Sequence, residues 1–171
     1  RTLSTLEERA ARLEALRTWE SPGPGSFYDD MGHVGRSPRA MRKLREDGGG
    51  ISYWWFDNGM SRLRRSWLVT GNPTSLEYAG LDPAAKYLLR FSGFGELKPR
   101  GDGESLKATV YNTEMNTMKE FPVPAEMVKD GKLSVTFDDV HQEGVNWRRQ
   151  PRLAEAWLIK VPTQVANGKG N

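Results

Sequence analysis

Tyr53, Trp54, Trp55, Arg62, Arg64, Arg65 and Trp67 crowd aromatic rings and guanidinium groups into one short stretch of the chain. That pairing suits sugar recognition. An aromatic ring packs against the C–H face of a pyranose, and Arg offers planar paired donors to hydroxyls. Asp57 and Asn58 follow directly and add hydroxyl acceptors. So many Arg side chains also favour carboxylate or sulfate groups on the sugar. The plain alternative is that the indoles are core residues and the Arg side chains a solvated face. A second such group is Asn146, Trp147, Arg148, Arg149 and Gln150, just before the last apolar run. Trp147 beside Arg148 would make a small platform in a loop, or a lid on the core edge.

Other chemistries find little support. The chain of 171 residues has no Cys, which removes disulfides, thiolate metal sites and thiol nucleophiles. His33 and His141 stand alone, and there is no G-x-S-x-G elbow. Asp138 and Asp139 are adjacent, so on a strand end they face apart rather than across a glycosidic bond. Gly48–Gly50 lacks the Lys-Ser or Lys-Thr of a phosphate loop. Between Arg36 and Arg65 the chain carries eight basic and three acidic residues, yet the whole has a net charge of only +3. Interspersed acids at that net charge argue against a nucleic-acid partner. No run approaches the roughly 20 apolar residues of a membrane span.

The elements that must hold these residues are an N-terminal helix and a series of strands. Leu3, Leu6, Ala10, Leu13 and Leu16 follow helical spacing, and Thr5 with Glu8 fits a capping box. Ser21-Pro22-Gly23-Pro24-Gly25 stops the helix, whose leucine face must pack on this domain or on a preceding one. Strand-like runs follow at Ile51–Phe56, Ser66–Thr70, Lys86–Ser92, Leu106–Asn112, Met118–Val123 (an edge strand because of Pro122), Lys132–Phe137 and Leu153–Val161. Short strands with many Gly and Pro turns predict an all-β sandwich behind an amphipathic helix. Its core would interdigitate Leu88, Phe91, Val110, Phe121, Leu133, Val135, Phe137, Ala156 and Leu158. The chain divides into a helix and linker at 1–20, a sandwich at 21–162 and a polar tail at 163–171. It starts at Arg1 rather than Met, as expected of a piece of something longer.

The order KYLLRFSGFG (86–95), LKATVYN (106–112), FPVP (121–124), GKLSVTF (131–137) and RLAEAWLIK (152–160) resembles the galactose-binding-like jelly roll of bacterial carbohydrate-binding modules. The resemblance covers residues 25–161 and is one of pattern. It implies a non-catalytic module, attached to a larger secreted or periplasmic protein that acts on polysaccharide. The partners it implies are a polysaccharide, neutral or anionic, and a catalytic domain on the same chain. The alternative is a structural accessory domain that packs on that catalytic domain. Related jelly rolls often hold a structural Ca²⁺ between the opening loop and a Glu of the last strand. Asp29, Asp30 and Glu155 match those positions. Exposure of Glu155 by alternation, or its pairing with an Arg, is the competing expectation.

Overall fold

A computed structural model describes residues 5–42, 53–54, 66–69, 74–114, 117–146 and 149–162. After the helix α1 (Leu6–Glu20) come β1 (Phe27–Asp30), β2 (Ala40–Arg42), β3 (Tyr53–Trp54), β4 (Ser66–Leu68), β5 (Thr74–Ala79) and β6 (Lys86–Phe94). They are followed by β7 (Pro99–Gly101), β8 (Glu104–Ser105), β9 (Thr117–Val123), β10 (Lys132–Phe137) and β11 (Arg152–Val161).

The strands form two antiparallel sheets. One has six strands in the order β3-β4-β11-β6-β9, with β1 also on β11; the other has five in the order β2-β5-β10-β7-β8. Leu89, Phe91, Phe121, Ala156 and Leu158 of the first sheet and Leu76, Tyr78, Leu133 and Val135 of the second belong to one buried core. Each set follows the two-residue alternation of a strand with one buried face, so the fold is a β-sandwich. No described helix is long and apolar enough to cross a membrane.

β11 is the spine of the larger sheet. It runs along β6 for its whole length and holds β4 and β1 on its other side. Its pairing with β6 slips between Leu153 and Glu155, which stand opposite Gly93 and Ser92. The extra residue, Ala154, is a bulge, and the main-chain N–H of Met31 donates to its carbonyl at 2.9 Å. The bulge puts Leu153 among the core residues and lets Glu155 face the outside of the sheet. Without it, i and i+2 would share a face.

Three expectations change here. Leu88 is half-buried on the outer face of β6, and its neighbours Tyr87 and Leu89 take the core positions instead. Val110 is 46% exposed and joins the sheet only through a single bridge to Glu120, so LKATVYN is an extended connection rather than a core strand. The helix begins at the expected cap: the Thr5 side chain accepts from the Glu8 N–H, and the Glu8 carboxylate accepts from the Thr5 N–H, both at 3.1 Å. Its leucine face, however, does not pack on this domain. Leu6 is 82% and Leu13 68% exposed. α1 instead presents Ala11, Ala15 and Thr18, which share a different face at helical spacing, toward the outer side of the six-stranded sheet.

Candidate functional site

The outer face of the six-stranded sheet carries a connected polar and aromatic cluster under the last turn of α1. Tyr28 stands opposite Trp157 and Asp30 opposite Glu155 across β1 and β11. Glu155 stands opposite Ser92, and Trp157 opposite Arg90, across β11 and β6. Glu155 is buried and accepts three hydrogen bonds: from the Tyr28 hydroxyl at 2.6 Å, from Trp19 Nε1 at 2.9 Å and from the Ser92 hydroxyl at 3.3 Å. In return, Trp157 Nε1 donates to the main-chain oxygen of Trp19 at 2.8 Å. The two indoles meet edge to face, with centroids 5.1 Å apart, and Tyr28 tilts over Trp157 at 5.5 Å. Arg36 also pairs with Glu20 at the end of the helix.

Burial pushes the Glu155 carboxyl up, and the charge of Asp30 adds to that; the bonds from Tyr28, Trp19 and Ser92 pull it partly back. The Tyr28 hydroxyl is driven far above its ordinary range, first by burial and then by the Glu155 carboxylate it donates to. It therefore stays a neutral donor.

Between α1 and the sheet lies an open groove of about 500 Å³ lined by Ala11, Glu14, Thr18, Trp19, Arg90 and Met118, with Trp157 at its base. The groove exists because α1 shows small side chains to the sheet and is drawn down only at its Trp19 end. Trp19 is 38% exposed. Arg90 is paired with Glu120 at 2.7 Å. The groove thus offers an aromatic wall, a hydroxyl, and both signs of charge.

The carboxylates expected to hold calcium do not form a cage. Asp29 and Asp30 are neighbours on β1 and point to opposite faces. Asp29 faces inward and is engaged by Arg39, through its main-chain N–H at 3.3 Å and its guanidinium at 3.1 Å. Asp30 accepts the Gly32 N–H at 2.9 Å, and Glu155 is occupied by its three donors. Asp29 therefore lies on the opposite face of β1 from Asp30 and Glu155, and the three carboxylates do not converge on one point. Among the described residues no group of three or more His, Cys, Asp or Glu side chains is placed to hold a metal ion.

Trp67, expected as a stacking platform, is 3% exposed and belongs to the core. Tyr53 and Trp54 are described only as strand β3, opposite Trp67 and Ser66. Trp55, Asp57, Arg62, Arg64, Arg65, Trp147 and Arg148 lie outside the described residues. Gln150 is buried and structural: its amide donates to the carbonyls of Gln142 at 2.8 Å and Val145 at 3.1 Å and closes the loop before β11. Sequence reasoning missed Trp19, Tyr28, Arg90 and Trp157. The available signal was Trp19 at the polar end of a helix just before a Pro-Gly stop, where an indole has a surface to reach back to.

No family model and no curated protein matches the chain. A solved structure it resembles is protein YxiM from Bacillus subtilis, with 10% identity and a TM-score of 0.44. The likeness covers 80% of this chain and 40% of that one, and is too distant to bear on fold or function.

Proposed function

We propose that this β-sandwich is a non-catalytic carbohydrate-binding module of the galactose-binding-like jelly-roll type, part of a larger secreted bacterial protein that acts on polysaccharide. The observation that carries this reading is the groove beside Trp19. Its size suits a small ligand. A partly open indole beside a hydroxyl, a carboxylate and a guanidinium is the chemistry that receives a sugar: the ring takes the C–H face, and Thr18, Glu14 and Arg90 take hydroxyls. Glu120 already answers the Arg90 charge and Arg17 lies 3.9 Å from Glu14, so the groove carries no unanswered positive charge for a uronate or sulfate and favours neutral sugars. The module works by tethering: weak binding raises the local concentration of its attached partner.

The test is calorimetric titration of the full chain against neutral and anionic polysaccharides, followed by Trp fluorescence. Binding to a neutral glycan that weakens in Trp19→Phe supports the reading. Absence of heat and of a fluorescence change with every glycan overturns it.

A second reading is favoured by one specific observation. Leu6 and Leu13, two helical turns apart, stand open on the face of α1 turned away from the sheet. They support a structural accessory domain that packs on the rest of its protein through α1. In that case removal of residues 1–20 from the longer protein destabilises it and leaves its polysaccharide affinity unchanged.

A further inference from the structure

The groove beside Trp19 is walled at one end and open at the other. Its floor crosses three neighbouring strands: Trp157 on β11, Arg90 opposite it on β6, and Met118 on β9. β9 is the outermost of the three. At a strand spacing of roughly 4.8 Å per step, that floor is about 10 Å long.

The inner end is a wall. The Tyr28 hydroxyl and Trp19 Nε1 donate to the same oxygen of Glu155, and the Trp19 ring stands edge-on against Trp157. Tyr28, on the next strand β1, lies behind these rings and does not line the groove. Pro22, just past the helix, borders the same end. The outer end is a mouth. α1 holds no buried residue, and Ala15 and Ala11, one and two turns before Trp19, are exposed where they line the groove. The helix is tied down at Trp19 and stands clear of the sheet toward β9.

A blind groove takes the end of a polymer and refuses its middle, because an internal stretch must leave on both sides. We propose that the groove receives the free end of a neutral glycan chain, one or two sugar rings deep. This rests on the sugar-binding reading and adds to it which part of a chain is bound. The terminal ring reaches Trp19, and the unit behind it lies toward Met118. The Thr18 hydroxyl gives its proton to the Glu14 carbonyl at 2.9 Å, so it meets the sugar as an acceptor. Glu120 and Arg17 answer the charges of Arg90 and Glu14, which suits a sugar that carries none.

The experiment titrates the full chain calorimetrically with xylan, galactan, amylose and mixed-linkage β-glucan, each intact and after mild acid cleavage to short oligosaccharides. Binding sites per gram of glycan are expected to rise in proportion to the chain ends created, and affinity to level off at a disaccharide. Conversion of the reducing ends to alditols tells which end enters: capacity lost assigns the reducing end, capacity kept the other. Ala15→Leu, which adds bulk to the groove from an exposed helix position, should weaken binding about tenfold. Sites per gram that stay constant or fall on cleavage overturn the proposal and leave the sugar-binding reading standing. Unchanged binding in Ala15→Leu overturns it as well, by placing the sugar outside the groove. Heat from neither intact nor cleaved glycans overturns both.

Discussion

Trp157 donates its indole N–H to the main-chain oxygen of Trp19, while Trp19 donates its own to Glu155, two residues before Trp157 on the same strand. The helix end and the sheet therefore hold each other by a crossed pair of bonds. One satisfies a carbonyl in the last turn of α1, where intrahelical donors run out. Trp157→Phe keeps an aromatic ring and loses that donor. It should cost about 1 kcal/mol in urea unfolding and raise hydrogen exchange in the last turn of α1. Unchanged exchange at Arg17–Glu20 would show that the helix is held by something else.

Glu155 makes stability depend on pH with a definite sign. In the unfolded chain its carboxyl titrates near the ordinary 4.5; in the fold, burial raises it. Between the two values the folded state binds more protons than the unfolded, so this group's contribution to stability falls as pH rises through that window. Above the folded value the buried charge is fully present. Glu155→Gln keeps an acceptor for Tyr28 and Trp19 and removes the charge. Its melting temperature should decline less than wild type as pH rises above the ordinary 4.5. Parallel melting curves across that range would refute the assignment.

Arg39 and Asp29 should behave as one unit. Asp29 is fully buried, and burial pushes its carboxyl up against the opposing pull of the Arg39 guanidinium. Arg39→Met leaves a carboxylate in the core without its cation. The expected loss is about 3 kcal/mol. Asp29→Asn added to Arg39→Met should recover much of it. The double-mutant cycle, measured by chemical denaturation, gives the coupling directly; additive effects would mean the two act separately.

At Gly93 the backbone of β11 leaves no room for a side chain on β6. A Cβ built there would lie 2.1 Å from the carbonyl oxygen of Arg152, an atom of the neighbouring strand's backbone. Gly93→Ala must push the two strands apart and should cost about 3 kcal/mol. A loss well under 1 kcal/mol in urea unfolding would be incompatible with that approach.

Local signals in the sequence reached the cap of α1, the alternating run KLSVTF and the edge character of β9, because each depends on neighbouring residues alone. LKATVYN alternates just as well, yet it finds only a bridge at Val110, since alternation says nothing about whether a partner strand is at hand. TSLEYA is missing from the strand-like runs read from the sequence, although Leu76 and Tyr78 alternate with Ser75 and Glu77; it forms β5 between β2 and β10. The hairpin of β7 and β8 turns on Asp102-Gly103, both at positive φ, a dipeptide signal that was there to be read. The cluster under α1 was the least accessible. It joins residues more than a hundred positions apart, such as Trp19 and Glu155, and depends on a register slip that no periodicity announces.

Ala154 acts as a phase shifter. The first part of β11 and the remainder obey the same rhythm half a period out of step, so one continuous ribbon serves the interior with Leu153, Ala156 and Leu158 yet reserves Glu155 and Trp157 for the helix. Excision of that single alanine would exchange the two allegiances: either the carboxylate would be driven among the phenylalanines or Leu153 would be turned out to water. A residue with almost no side chain thus decides which surface this protein shows to its helix.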